Sequence, residues 1–252
     1  MIVQMTAGTH RLRIFLFLET GKEVFLNFPM GMLEESGAAE RAANDLIGIV
    51  GKAWAIFHAG TGTGFPRLLE LLEKDMPGRL HELSLFPSKV EWACELPTRM
   101  PVERVLALQG AAELWPLSEV VLVNLDGPPI FDILQNGGHL AGFEPFGFGE
   151  LLEDYFPHSP TLLRYDPTEM KSFVGKTSSH LACQLLIEGL VSAWRAHISS
   201  VYLKKGPPLF VSYGDDDAGL RLFPNLSDTH HPDLLAIAAR RLASQQWVAQ
   251  NR

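Results

Sequence analysis

The chain opens on two apolar runs around a polar turn. Arg11 to Leu18 and Glu23 to Phe28 flank Glu19-Thr20-Gly21-Lys22, which predicts an antiparallel hairpin. Few polar residues interrupt it, so both of its faces are expected to be covered. From Glu34 the period changes. Ala39, Ala43, Leu46, Val50, Ala53, Trp54 and Phe57 recur at helical spacing and predict one helix from about Ser36 to Phe57, interrupted by Gly48 and Gly51. A shorter helix is expected after Pro66, ending near Pro77-Gly78.

Two strands are read at Leu80 to Phe86 and Lys89 to Leu96, and Pro101 opens a helix that Pro116 stops. Val120 to Leu125 is the best buried strand in the chain, ended by Asp126-Gly127-Pro128-Pro129. From Ile130 to Phe148, glycines punctuate short apolar pieces, and a loop-rich middle is expected. A short helix at Glu150 to Phe156 and a strand at Thr161 to Tyr165 follow. Ser179 to His197 reads as the longest helix, with His197 on its apolar stripe as a core histidine. Strands are then expected at Val201 to Leu203, Leu209 to Tyr213 and Leu220 to Phe223, the last two forming a second hairpin, before a C-terminal helix after Pro232.

No repeat of solenoid period, low-complexity segment or Ser/Gly linker divides the chain. The pattern as a whole predicts a single globular domain over residues 1–252, of mixed α/β or α+β class. It would hold one central β-sheet, with antiparallel hairpins near both termini, packed by helices.

Composition narrows the function classes. Hydrophobic residues make up 46% of the 252 residues, enough for a large core and too many for a disordered chain. The formal charge of −8 argues against a phosphate-neutralising surface, so nucleic acid is not an expected partner. Cys94 and Cys183 belong to no zinc or disulfide pattern. The first residues lack the basic start and apolar run of a secretory signal, and no apolar stretch reaches the roughly 20 residues of a membrane span. A cytoplasmic protein without membrane contact is expected.

Several groups carry candidate chemistry. Asp126, Asp166 and Asp215 each follow a predicted strand, and Asp216 and Asp217 extend the last of these acidic ends. If those strands are parallel neighbours, the carboxylates gather at one sheet edge and could hold a divalent cation such as Mg²⁺ for phosphate chemistry; as turn-formers, aspartates also occur there without a ligand. Gly60-Thr61-Gly62-Thr63-Gly64 resembles a phosphate loop in composition. The helical stripe running into it through Phe57 instead predicts a connector between two helices, whose glycines supply positive φ. Gly175-Lys176-Thr177 lacks the leading glycine of a P-loop, with Met170 in its place, and Asp228 to Asp233 reads as helix initiation. Neither GxSxG nor HExxH occurs. Phe143, Phe146 and Phe148 crowd a Gly/Pro-rich stretch, as aromatics do at a binding surface or beneath a long loop.

Two functions follow. The first is a cytoplasmic binding or accessory protein that meets another protein, or a small ligand, through Phe143, Phe146 and Phe148. The second is a metal-dependent enzyme acting on a phosphorylated or nucleotide-like substrate through the strand-end aspartates.

Overall fold

The computed structural model describes residues 1–8, 11–33, 37–60, 62–86, 90–92, 100–125, 129–143, 178–201, 207–214 and 225–251, with the backbone alone for 178–187. Its helices and strands form a mixed α/β structure in two compact units. One comprises Met1–Lys89, Leu96–Gly110 and Leu234–Arg252; the other comprises Val90–Glu95 and Ala111–Asp233. In place of one central sheet there are two five-stranded mixed sheets. Apolar runs report burial but do not say which strands pair, so the sequence pattern alone could not divide them.

In the first unit, β1 (Ile2–Ala7), β2 (Arg11–Phe17) and β3 (Glu23–Pro29) form an antiparallel meander. A 3-10 turn (Met30–Leu33) and helix α1 (Ala38–Val50) lead to β4 (Ala55–Gly60), which lies parallel to β1. Helix α2 (Phe65–Asp75) then leads to β5 (Leu80–Glu82), parallel to β4. The sheet order is β3-β2-β1-β4-β5. Alternation along β1 sends Val3 and Met5 to one face, where they join Ile14, Ile56, Leu46, Val50, Leu68 and Leu72 in one core. Gln4 and Thr6 point to the other face, where they are fully buried and the Gln4 amide donates to the Thr6 hydroxyl.

Helix α3 (Val102–Leu114) leaves the first unit, and helix α5 (Leu234–Gln250) returns the chain to it, packing on β1 and β2. The Gln246 side chain fastens α5 to the strand end by accepting from the Ser84 N–H at 3.0 Å and donating to the Glu82 carbonyl at 2.8 Å. Only half of the expectation for the first hairpin holds. β2 is buried along its length, whereas β3 is an edge strand with Val24 and Phe25 exposed.

The predicted helix from Ser36 to Phe57 is two elements. Gly51 caps α1, its N–H donating to the Ile47 carbonyl at 2.8 Å, and the chain re-enters the sheet at Ala55. Ala53, Trp54 and Phe57 continued the helical stripe only because a strand of alternating Ala55, Phe57 and Ala59 also satisfies that spacing over a few residues. Of the two strands expected between Leu80 and Leu96, the first is shorter than Leu80 to Phe86 and spans Leu80–Glu82; of the second, Trp92 makes an isolated bridge to His139, and Lys89 and residues 93–96 lie outside the described part.

The second unit repeats the topology. β6 (Glu119–Asn124), β7 (Ile130–Gln135) and β8 (Gly138–Phe143) form an antiparallel meander. Helix α4 (Ser178–Val201) precedes β9 (Leu209–Tyr213), which lies parallel to β6, and β10 (Thr229–His230) lies parallel to β9. The order β8-β7-β6-β9-β10 corresponds strand for strand to that of the first sheet. The expected loop-rich middle is thus partly a hairpin, turned by Asn136-Gly137 with φ of 52° and 76°. An Asn-Gly pair with both φ positive matches strand twist, and this signal outweighs the glycines that made the segment look irregular. Val201 ends α4 rather than starting a strand. Residues 202–203 and 220–223, and with them the second predicted hairpin, lie outside the described residues.

Trp194 of α4 packs edge-on against Phe131 at 5.8 Å, and the Arg195 guanidinium lies 4.1 Å from the Phe210 ring centre, fixing α4 on one face of the second sheet. His197, expected in the core, is exposed, because the apolar face of α4 turns Val191, Trp194 and Ile198 inward instead. Among the described residues no helix is long and apolar enough to cross a membrane.

Two glycines test this packing. A Cβ on Gly110 would overlap the backbone carbonyl of Leu234, so Gly110→Ala should destabilise by about 1–3 kcal/mol through forced separation of α3 and α5. Gly48 lies inside α1 with open space around its Cα, so Gly48→Ala should stabilise by about 0.5–1 kcal/mol. Urea denaturation of the two variants should move the midpoints in opposite directions.

Candidate functional site at the strand carboxyl edge

In open α/β folds, ligands bind outside the carboxyl ends of parallel strands. In the first unit that edge is formed by Ala7 and Gly60, which are paired in register at the ends of β1 and β4. The Gly60 to Gly64 loop therefore follows a strand, not a helix, and opens α2. The connector reading made from the sequence started from the wrong element.

The glycines nevertheless have a packing reason. Gly60 has φ 114°, and a Cβ there would overlap the Ala7 carbonyl. Gly64 has φ 82°, and a Cβ would lie 2.5 Å from the Leu33 carbonyl oxygen. A Cβ on Gly62 would meet the Met30 methyl at 2.6 Å. The loop is thus pressed against the end of β1 and the 3-10 turn. The first turn of α2 offers few free amides, since Pro66 has none and the Phe65 N–H donates to the Gly62 carbonyl at 3.2 Å. The nearby cation, Arg67, is held by Glu40 and Glu70 at 3.2 Å each.

The turn beside this loop is the more distinctive feature. Gly8 closes the β1–β2 turn by donating its N–H to the Arg11 carbonyl at 2.9 Å. Glu103, in the first turn of α3, is 6% exposed. A Cβ on Gly8 would lie 2.6 Å from its carboxyl carbon and from both oxygens. Glycine at this position lets the carboxylate lie directly on the turn; a side chain there would displace it. An acid in the first turn also suits the helix dipole, but that effect does not call for burial against a neighbouring glycine. Sequence reasoning passed over Glu103; its one signal was an acid two residues after the Pro101 helix start.

His58 stands on β4, two residues before the loop, with its ring 6.4 Å from Phe65. Burial pushes it below the ordinary histidine value of 6.5, against a smaller upward pull from Glu82. The ring is therefore neutral at pH 7. The unfolded chain takes up this proton first as pH falls, so the contribution of neutral His58 to stability is complete above about 6.5 and is lost as pH falls through the folded value. Denaturation at pH 7.5 and 5.5 should show a larger loss for the wild type than for His58→Phe.

Two of the three strands expected to precede the aspartates are described. β6 and β9 are parallel neighbours, with Asn124 opposite Tyr213, which meets the condition set for two of the three strands. Asp126, Asp166 and Asp215 themselves lie outside the described residues, as do Phe146, Phe148, Gly175-Lys176-Thr177 and the strand read at Thr161 to Tyr165. Phe143 lies on β8, where its ring stacks on Phe131 at 5.2 Å. Asp228 accepts from the Phe210 N–H at 2.9 Å and pairs with Arg195 at 2.6 Å. It ties β9 to α4.

A buried pair that the sequence did not reveal joins Asp132 of β7 to His139 of β8, Oδ1 to Nε2 at 3.1 Å. Among the described residues, no three acids, histidines or cysteines gather into a metal-sized group.

No family model matches the chain, and no curated protein matches it in sequence. Solved structures do match over its whole length. A protein from Sinorhizobium meliloti, provisionally described as a 2-dehydro-3-deoxygalactonokinase, is 12% identical with a TM-score of 0.54, covering 98% of this chain and 97% of its own. Lmo2764 from Listeria monocytogenes, provisionally described as an N-acetylmannosamine kinase, is 10% identical with a TM-score of 0.54, covering 98% and 99%. A Campylobacter jejuni protein, provisionally described as a Baf family transcriptional activator, is 15% identical with a TM-score of 0.52, covering 97% and 98%. At these identities the likeness shows the fold alone, a mixed α/β architecture.

Proposed function

We propose that the protein is an enzyme acting on a phosphorylated or nucleotide-like substrate, transferring a phosphoryl group to a hydroxyl of a small molecule. The observation that carries this reading is the Glu103 carboxylate held against the Gly8 turn at the carboxyl edge of β1. The glycine leaves this strand end without a side chain, and the acid beside it can accept the proton of an attacking hydroxyl. Two of the structurally similar proteins carry kinase descriptions, which supports the same reaction class.

Phosphoryl transfer from a nucleotide uses a divalent cation to neutralise phosphate charge. The described residues contain no cluster that would hold one, so the chemistry assigned here concerns Glu103 and the glycine turns alone. Asp126, Asp166 and Asp215 are the proposed ligands for Mg²⁺. Support comes from the parallel pairing of β6 with β9, whose last paired residues, Asn124 and Tyr213, precede Asp126 and Asp215 by two positions each.

Calorimetry with ATP and Mg²⁺ should show saturable binding by the wild type. Glu103→Gln, which keeps the shape of the side chain, should retain nucleotide binding. It should lose about 10²–10⁴-fold in phosphoryl transfer to a panel of hydroxylated acceptors, the usual contribution of a general base. Asp126→Ala should weaken the Mg²⁺ dependence of binding. A folded wild type that binds neither ATP nor ADP in the presence of Mg²⁺ would overturn the reading.

A further inference from the structure

The outer strand of the first sheet is open at its edge and on both faces. β3 ends the order β3-β2-β1-β4-β5, and among the described residues no strand pairs with its outer side. The hairpin turn fixes which backbone groups face out. The Leu18 N–H donates to the Lys22 carbonyl at 3.0 Å, and β2 then pairs with β3 without a break in register, from Phe17 opposite Glu23 to Arg11 opposite Pro29. Hydrogen-bonded positions alternate along an antiparallel pair, so the even-numbered residues of β3 bond to β2. Glu23 and Phe25 therefore turn their N–H and C=O groups outward.

Successive side chains at this edge point to opposite faces, and both are in water. Val24 stands beside Leu16, on the side of the α1 core, and is 40% exposed. Phe25 stands on the side of α5, with its ring stacked on Phe15 at 5.0 Å, and is 39% exposed. From Val24 to Phe28 the strand has no charge, no proline and no bulge, the devices that usually keep an edge from pairing.

A partner for this edge must bring outward backbone groups and apolar side chains on both faces of its own strand. β3 has both, in an order that suits a two-fold axis. With Phe25 opposite Phe25 of the partner subunit, each residue exchanges both of its outward hydrogen bonds with the other. Val24 then meets Leu26 of the partner subunit on the α1 side, apolar against apolar. Glu23 is the one charged residue of β3, and in this register it faces Asn27 of the partner subunit instead of its own like charge. The strand is thus complementary to itself in charge as well as in apolar surface.

We propose that β3 is the seam of a homodimer, in which two copies of this chain join their first sheets edge to edge by antiparallel β3–β3 pairing centred on Phe25. The seam asks nothing of Glu103 or the Gly60 to Gly64 loop, so its test is independent of the proposed activity.

Sedimentation equilibrium on the full chain, with a ¹⁵N amide spectrum recorded along the same concentration series, is the direct test. A reversible monomer–dimer equilibrium is expected with a Kd on the order of 10 µM, weak because one strand pair makes a small interface. The amides that shift with concentration should be those of Glu23–Pro29. Val24→Lys places a charge against the apolar seam and should weaken dimerisation about tenfold or more, while the dilute monomer keeps its melting temperature because Val24 is exposed. Leu117→Lys makes the same change at an exposed apolar residue of the second unit and should leave the dimer as it was. Four results would overturn the proposal: a chain that stays monomeric at about 50 times that Kd, assembly that continues past the dimer, concentration-dependent shifts that miss β3, or a dimer that Val24→Lys leaves as tight as the wild type. A monomeric chain whose β3 amides shift on adding an extended synthetic peptide of the β3 sequence would assign the edge to a strand from another protein, and would overturn it too.

Discussion

The arrangement of the first unit depends on the parallel pairing of β1 with β4, brought to its end by Ala7 opposite Gly60. Parallel neighbours cannot be joined by a tight turn, so the chain must cross over through α1 and return, and both strands then finish at the same edge. At that edge the backbones approach so closely that any side chain on Gly60 would occupy the Ala7 carbonyl. From this follow the Gly8 turn on one side, the glycine loop into α2 on the other, and the place where the Glu103 carboxylate can lie. The second unit meets the same constraint in the same way. β9 runs parallel to β6, the Leu125 N–H donates to the Tyr213 carbonyl at 3.1 Å, and the next residue, Gly214, has φ 115°, within a degree of Gly60.

The repeated topology gives each unit one antiparallel half and one parallel half. The antiparallel half ends in an exposed edge strand in the first unit, and the parallel half supplies the edge at which loops can carry chemistry. Buried polar residues do not follow the candidate site alone. Gln4 with Thr6, and Asp132 with His139, lie within sheets, where each pair satisfies part of its buried hydrogen-bonding capacity and leaves Gln4 Oε1 and His139 Nδ1 without a partner among the described residues. The Asp132–His139 pair links β7 to β8 and the Gln4–Thr6 pair lies within β1; neither stands at the strand carboxyl edge, so neither carries the functional argument. Glu103 differs because its carboxylate lies beside a backbone turn at the strand ends and not within a sheet.

Much of the fold was legible where one period ruled a segment. The helices beginning at Val102, Ser178 and Leu234 and the strand Glu119–Asn124 have apolar spacing with a single reading. It was not legible where two periods fit the same residues, as at Ala53 to Phe57, and one misplaced element changed the meaning of the glycines after it. Asn136-Gly137 carried an explicit hairpin signal that the surrounding glycines outweighed. The division into two sheets was not visible, since α5 returns from the far end of the sequence to pack on β1 and β2. For the site, the chain showed the glycines and the strand-end acids but not Glu103, because its meaning lies in contact with Gly8, 95 positions earlier in the chain.

The central claim is that phosphate-bearing ligands meet the carboxyl edge formed by β1, β4 and the start of α3. Amide chemical-shift mapping of ¹⁵N-labelled protein during titration with ATP and Mg²⁺ tests it directly. The account predicts that the largest shifts fall on Gly8, Gly60, Gly62, Gly64 and Glu103, with the amides of β3 and α1 unmoved. Saturable shifts that leave those five amides in place and cluster elsewhere would contradict it.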